Sequence, residues 1–378
     1  MAKQVGVDIG STSVRVVEVR GLDSRGYAVV SRVGYAPMRE NAIVGGRIRN
    51  AVAVSQALIR ALKQAGVAPY GFVAGYAAPE AAVGRMMLPS ALKGEERIKA
   101  LRTMDRQVSA SLRLEDSTIA LNEIRRFSTG DGVSMTAVVV AAAAREEVEQ
   151  LRQVFKLAKC SPRALDLAGA ANMRALVRTV PDGTEVHTVV DIGSTKTSIA
   201  TRQGPHLRSL RQVAVGGSSF TRAIMGVTGD TKQEAEARQK IISLVERPVS
   251  GPVEVGSGYG STGALQEAES SRQTVLDESV SRVADDLVEQ IASSIENDAS
   301  NYGNSFTQGV VLSGATAQIP GLRERLSQRL GVPVQLGRPW ATLERNRSNL
   351  LYLRDGQEDP KMMMELTTAI GLALWSQP

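Results

Sequence analysis

Two aspartates in this chain stand in the same setting. Val-Asp-Ile-Gly-Ser-Thr occupies Val7–Thr12 and recurs unchanged at Val190–Thr195, half a chain later. In each copy an apolar strand ends in an aspartate, Asp8 or Asp191, small residues follow, and a second strand begins. Gly10 and Gly193 carry no Cβ, so the backbone can come close to a ligand. Consecutive N–H groups of such a turn, with the hydroxyls of Ser11, Thr12, Ser194 and Thr195, can be aimed at phosphate oxygens. A carboxylate beside phosphate makes sense only with a cation between them, and Mg²⁺ takes one or two carboxylates together with waters and phosphate oxygens. Two facing hairpins would clamp one polyphosphate from both sides. One copy alone would read as an ordinary turn; the repeat is what points to chemistry.

The elements around the repeats follow from periodicity. Val5–Asp8, Ser13–Arg20 and Tyr27–Tyr35 read as strands. Ala51–Ala65 has the helical spacing of apolar residues, with Gly66 as its cap, and Gly71–Gly75 as a strand follows. Glu80–Pro162 reads as an inserted subdomain: a strand near Ala82–Leu88, a helix from Gly94 to Leu112, strands near Thr118–Phe127 and Val133–Ala143, and a helix from Arg145 to Lys159. The pattern of the first half restarts at His187. Arg247–Leu265 is rich in Gly, Ser and Pro and reads as a mobile surface loop. A helix from Arg272 to Ala299, a strand at Gly309–Leu312, a helix from Pro320 to Leu330, a strand at Val332–Leu336 and a helix at Glu365–Trp375 complete the chain. The division is 1–79 with 163–186 as the first half-domain, 80–162 as the insert, and 187–378 as the second half-domain.

Bulk composition sets the limits. The 378 residues, 43% hydrophobic and 22% charged, suit a globular α/β protein of two or three domains. Aromatics at 4% argue against a base-stacking nucleic-acid platform. The net charge of +6 is modest and spread along the chain. With one cysteine, Cys160, no intrachain disulfide can form, which fits a reducing cytoplasm. His187 and His206 do not sit in a metal-ligand spacing. The start of the chain runs straight into a strand rather than a signal peptide, and the longest apolar run, Ala137–Ala144, is too short to span a bilayer. The expectation is a soluble cytoplasmic protein.

With these motifs in order, the chain resembles the actin-like ATPase superfamily, in which two duplicated half-domains face each other across a nucleotide cleft. Val5–Arg15 is similar to its first phosphate motif and Val189–Ser198 to its second. Val310–Leu322 is similar to its adenosine motif, where Gly314 and Ala315 keep the turn thin and a helix from Pro320 points its positive end at the site. Within the superfamily, "VGRMMLP" at Val83–Pro89, Ala141–Leu167, "RQVAVGGSSFTRAI" at Arg211–Ile224 and "AIGLAL" at Ala369–Leu374 resemble the PilM family of type IV pilus assembly, relatives of the FtsA cell-division proteins. Both families carry an inserted 1C (SHS2-like) subdomain where Glu80–Pro162 lies.

The resemblance implies bound ATP and Mg²⁺, with Asp8 and Asp191 toward the metal. It implies a nucleotide site drawn from Gly10, Ser11, Thr12, Ser13, Arg15, Gly193, Ser194, Thr195, Lys196, Gly216, Gly217, Glu236, Lys240, Gly314, Ala315 and Ile319. Glu236 fits the family's ribose-contacting helix, whereas Gln239 stands at the family's lysine position and Lys240 one residue beyond. Lys240 is therefore either a base contact or a solvated helix lysine. Asp166 is either the residue that orients an attacking water or a capping aspartate. With no other water-activating candidate, slow ATP turnover at most is expected.

The implied partner is the cytoplasmic N-terminal tail of a PilN-like bitopic membrane protein, bound as an extended peptide between subdomains 1A and 1C. Pilus assembly ATPases are further partners, nucleic acid is not one, and membrane association is indirect, at the inner face of the cytoplasmic membrane. An FtsA-like polymerising protein and a small-molecule kinase are the competing readings. The chain ends without the membrane helix expected of the former, and no base aspartate stands out for the latter.

Overall fold

A computed structural model describes residues 3–77, 79–108, 114–177, 184–245, 261–343 and 360–375. The chain begins with an antiparallel meander of β1 (Gln4–Ile9), β2 (Ser13–Leu22) and β3 (Ala28–Pro37). From Gly6 onward β1 is buried at every residue, as a central strand covered on both faces requires. A small hairpin of β4 (Ile43–Val44) and β5 (Arg47–Ile48) turns through Gly45 and Gly46 at φ +57° and +78°. Helix α1 (Ala51–Ala65) starts at Asn50, whose side chain accepts the Ala53 N–H at 2.9 Å, and stops at left-handed Gly66. Strand β6 (Val73–Tyr76) then runs parallel to β1.

The insert supplies β7 (Ala82–Pro89), α2 (Glu95–Val108), β8 (Ser117–Ser128) and β9 (Ser134–Ala144), paired antiparallel in the order β7-β9-β8. Met86, Leu88, Leu101, Leu114, Val138 and Val140 form its small core. The next helix, α3 (Arg145–Ala158), packs elsewhere. Its Leu151, Val154 and Phe155 enter the first-half core beside α1, with Phe155 edge-on to Phe72 at 6.1 Å. Strand β10 (Ala164–Leu167), parallel to β6, and α4 (Ala168–Leu176) follow.

The second half repeats the first. It runs through β11 (Val186–Ile192), β12 (Thr197–Gln203), β13 (His206–Val213), α5 (Gly217–Thr228), α6 (Lys232–Gln239), α7 (Ser261–Asn301), β14 (Val310–Ser313), α8 (Leu322–Leu330) and β15 (Val334–Leu336). Strands β3-β2-β1-β6-β10 and β13-β12-β11-β14-β15 have the same order and the same sequence of antiparallel and parallel pairings. The C-terminal part of the chain does not stay with the second half: β16 (Ala341–Leu343) pairs with β3, and after α9 (Pro360–Glu365) helix α10 (Thr367–Ala373) lies on β1. A Cβ on Gly6 would sit 2.1 Å from the Ala369 carbonyl oxygen, and one on Gly371 1.9 Å from that of Ala171. Glycine at both positions lets α10 touch β1 on one side and α4 on the other.

Several boundaries differ from the sequence reading. Ser261–Leu265 opens α7 rather than closing a loop; Ala264–Glu269 are helix formers once the Gly/Ser/Pro cluster is passed. Residues 247–260 of that loop, and 109–112 of the insert helix, lie outside the described residues. The helix expected from Pro320 begins at Leu322, because Ala315–Gln318 forms a 3₁₀ turn and Gly321 is left-handed. Glu365–Trp375 is not one helix: α9 ends at Glu365 and α10 runs from Thr367 to Ala373, with the break at Leu366.

The insert is joined to the second half. Its β7 continues that half's sheet beside β13, giving eight strands in one layer. The seam has one bridge pair, Leu210 with Val83. Next to it the Tyr302 hydroxyl accepts the Arg85 N–H at 3.0 Å and donates to the Arg208 carbonyl at 2.9 Å, spanning the two strands. The Arg85 guanidinium adds donations to the carbonyls of Gln203, His206 and Leu207 at 3.2, 2.9 and 3.3 Å. Arg208 is itself buried against Asp298, and its guanidinium lies 5.0 Å over the Tyr302 ring.

Candidate functional site

The two repeated turns have the same geometry. The Gly10 N–H bonds to the Ser13 carbonyl at 3.0 Å, and the Gly193 N–H bonds to the Lys196 carbonyl at 3.0 Å. Each turn therefore joins its two strands over four residues and leaves the N–H groups between for a ligand. In the first turn Ser11 is half-buried, Thr12 is exposed, and Ser13 is fully buried with a hydroxyl that has no partner among the described residues.

The turns bring Asp8 and Asp191 into one electrostatic neighbourhood. Burial pushes the Asp8 carboxyl up to about 6, with Arg15 pulling it down and Asp191 pushing it further up. Burial also raises Asp191, against the Ser313 hydroxyl, the Arg15 charge and the Asn172 amide, which lower it. Arg15 is shared between acids: its Nη1 lies 3.5 Å from Asp8 Oδ2 and its Nη2 3.8 Å from Glu365 Oε2. In this structure Arg15 is the counter-charge of the aspartates. Two buried carboxylates that repel each other fit a hard divalent cation, because a positive charge relieves the repulsion. Among the described residues no group of three or more His, Cys, Asp or Glu could hold a metal.

The remaining candidates divide into those the fold brings together and those it does not. Gly216 and Gly217 abut the second turn. The Gly217 N–H bonds to the Gly193 carbonyl at 2.9 Å and the Ser218 N–H to the Ser194 carbonyl at 2.7 Å, which fastens the start of α5 to the hairpin. A Cβ on Gly216 would lie 2.6 Å from the Gly193 carbonyl oxygen and 2.7 Å from the Lys196 nitrogen, so only glycine fits. Gly314, at φ +90°, presses on Ile192 at the end of β11, where a Cβ would sit 2.3 Å from the carbonyl oxygen. Ala315 is exposed, and Ile319 is buried in the second-half core.

On α6 the structure separates neighbours in sequence. Gln239 accepts the Thr221 hydroxyl at 2.8 Å, and its Nε2 lies 3.4 Å from where a Gly217 Cβ would be. Glu236 is exposed, and Lys240 is the exposed C-cap. The residue of α6 that faces the turn is therefore Gln239. Asp166 is ion-paired with Arg174 of α4 and accepts the Leu167 N–H at 2.8 Å; Arg174 Nε also donates to the Gly371 carbonyl at 3.0 Å. This ties Asp166 into the α4–α10 junction. Sequence reasoning missed Asn172, fully buried on α4 beside Asp191, whose Oδ1 accepts the Thr368 hydroxyl at 2.8 Å. A polar residue inside the apolar period of "LAGAANMRAL" was its only signal.

Lys196 follows the second turn yet points across to the other half. Its Nζ is buried with no hydrogen-bond partner among the described residues and lies 2.6 Å from where a Gly46 Cβ would be. Burial lowers its ammonium to about 7, with the Glu147 charge acting the other way.

Comparison with known proteins places this arrangement. The family model described as type IV pilus assembly protein PilM matches residues 6–248, and the model for cell division protein FtsA matches residues 188–371. A solved structure described as a PilM–PilN type IV pilus biogenesis complex is similar at 20% identity and a TM-score of 0.73, over 98% of this chain and 97% of that one. Ethanolamine utilization protein EutJ from Carboxydothermus hydrogenoformans is similar at 16% identity and a TM-score of 0.50, over 100% and 90%. The fold is the actin-like ATPase fold, with its paired half-domains meeting at the two turns.

Proposed function

The chain belongs to the PilM family of type IV pilus assembly proteins, and on that premise we propose that it is an ATP-binding scaffold of the pilus, or a related secretion, assembly platform. The observation that carries the reading is the pair of identical turns, closed by the same 3.0 Å bond, with Asp8 and Asp191 in one electrostatic neighbourhood. Asp8 and Asp191 would hold Mg²⁺, which supplies charge neutralisation at the phosphates. The turn amides would orient the phosphate chain, and Arg15 would exchange its carboxylate partners for phosphate as the metal takes its place. Turnover is slow at most, since the pairing of Asp166 with Arg174 leaves it no free carboxylate to orient water.

The PilN named with the similar structure suggests the partner class. Strand β8 is an edge of the eight-stranded sheet, and a recess of about 310 Å³ lies between it, α2 and α3. Ile98 and Ile119 offer apolar contact there, and Arg102 and Arg145 offer charge. An extended tail of a PilN-like bitopic membrane protein would add along β8, its backbone giving affinity and alternate side chains selectivity. Through that tail a cytoplasmic protein would be recruited to the membrane; none of its described helices is long and apolar enough to cross one.

Calorimetry with Mg-ATP and with metal-free ATP tests the site: Asp8→Ala and Asp191→Ala should weaken Mg-ATP far more, and unchanged Mg-ATP affinity in both would sink the clamp. Membrane pull-down tests the groove, with Arg102→Glu expected to lose the PilN-like protein. The FtsA match over 188–371 favours one second reading, a polymerising protein. ATP-dependent sedimentation of the purified chain would support it.

A further inference from the structure

The first-half sheet has two ends with different surfaces. Asp8 and Asp166 both stand in register with Gly75, so the first phosphate turn lies at the C-terminal ends of the parallel strands β1, β6 and β10. At the opposite end α1 and α3 stop, each leading into one of those strands, β6 or β10. The two connections lie side by side: the Gly71 N–H bonds to the Ser161 carbonyl and the Ser161 N–H to the Pro69 carbonyl, both at 2.9 Å. Strand β1 starts at this end too, which brings Lys3 there.

What this end exposes is apolar and basic. Residues 68–71 are all exposed, and Tyr70, between Pro69 and Gly71, is 69% exposed. Leu157, in the last turn of α3, is 43% exposed. Around them stand Lys3, Lys63, Lys156 and Lys159, all exposed, and none of their ammonium groups has a partner among the described residues. The acids at the same end of β2 and in the loop after it, Glu18 and Asp23, are already matched by Arg32 and Arg25. The helix dipole accounts for Lys63 and Lys156 in their last turns. It does not account for Lys159. Both helices stop at a left-handed residue, which is Gly66 at φ +63° in α1 but Lys159 at φ +53° in α3. Glycine takes that conformation without strain and lysine does not, so the fold keeps a charge where glycine would sit more easily.

We propose that this end of the first half docks directly on an anionic phospholipid surface, with the four lysines against the headgroup phosphates and Tyr70 and Leu157 at the acyl boundary. Tyrosine suits that depth, having an apolar body and a polar tip. Each lysine near an anionic leaflet strengthens the contact about fivefold. The apolar part is one loop and one leucine, too little for a protein interface of standard size; a lipid surface asks only for shallow insertion ringed by positive charge. Docked in this way, the first phosphate turn points away from the bilayer and stays open. No partner protein is needed for this contact, so it stands apart from the groove and nucleotide readings.

Flotation of the full chain with lipid vesicles, no other protein present, is the test. Vesicles of phosphatidylcholine with phosphatidylglycerol should carry the chain, vesicles of phosphatidylcholine alone should not, and added salt should release it. Lys63→Glu, Lys156→Glu and Lys159→Glu together should weaken binding about a hundredfold, three lysines at about fivefold each. Arg222→Glu, Arg282→Glu and Arg323→Glu, at exposed positions of the second half, change the net charge equally and should keep it. Lys159→Gly should lose about fivefold in binding while thermal stability holds or rises, the opposite of what removing a structural lysine gives. Tyr70→Ser should weaken binding at every salt concentration, and Tyr70→Trp should add tryptophan fluorescence that brominated acyl chains quench. Equal loss in the two triple variants overturns the proposal, because net charge alone would then explain binding. Absence of flotation with anionic vesicles also overturns it, and if the lysine triple variant then loses a self-association seen in sedimentation, this end is an interface between copies.

Discussion

Tyr302→Phe removes one oxygen from the seam between insert and second half and leaves the ring. The hydroxyl both accepts the Arg85 N–H, at 3.0 Å, and donates to the Arg208 carbonyl, at 2.9 Å. Phenylalanine keeps the face beneath the Arg208 guanidinium, 5.0 Å away, so packing and the cation–π contact are preserved. Two lost bonds at a net 0.5–1.5 kcal/mol each weaken the seam by about 1–3 kcal/mol. If the insert opens from β13 as a local unit, exchange of the Gly84 and Arg85 amides should accelerate by about 5- to 150-fold, while β11 amides keep their protection. Hydrogen exchange with residue-level fragmentation measures both. Unchanged exchange at Arg85 would refute the bridging role, and equal acceleration in β11 would show that the insert does not open separately.

Other expectations follow from single contacts. Gly216→Ala forces a Cβ to 2.6 Å from the Gly193 carbonyl oxygen; thermal unfolding should report about 1–3 kcal/mol of lost stability and calorimetry a weaker Mg-ATP complex. Leu372→Ala, at a side chain with 0% exposure on Gly6 and Gly75, should cost about 2–5 kcal/mol in urea unfolding. Asp8 binds its proton more tightly folded, at about 6 against 3.8, so its contribution is present below pH 4 and lost as pH rises through 6. Urea midpoints in EDTA without nucleotide should show that loss, and Asp8→Asn should reduce it. Lys196 is the reverse, lowered from 10.5 to about 7: its contribution is present above pH 10.5 and lost as pH falls through 7, a slope that Lys196→Met should flatten.

The repeated hexapeptide was enough to announce two equivalent half-domains, because a buried strand followed by a glycine turn is a local feature with local causes. The same holds for α1, whose caps Asn50 and Gly66 stand in the sequence. What could not be read was decided by distant partners. Arg145–Ala158 lies within the stretch read as the insert, but its apolar stripe matches Phe72 and α1; amphipathicity says that a face is buried, never against what. Three-residue β16 carries no pattern of its own and is a strand only because β3 offers an edge. At the site, the glycines were legible from type alone. The destinations of Arg15 and Lys196 were not, since long flexible side chains go where charge and space allow, here toward Glu365 and toward Gly46.

The return of the chain to its starting sheet sets an order of events at synthesis. Strands β1 to β3 leave the ribosome well before β16, which covers the β3 edge, and α10, which covers β1 at Gly6. Until residues 341–373 emerge, the first half has a bare strand edge and an uncovered apolar face. Such surfaces bind other chains readily. The first-half sheet therefore waits for about three hundred further residues before it is covered, and any stop before Thr367 leaves it uncovered. The half that is made earlier is thus the one that is completed later.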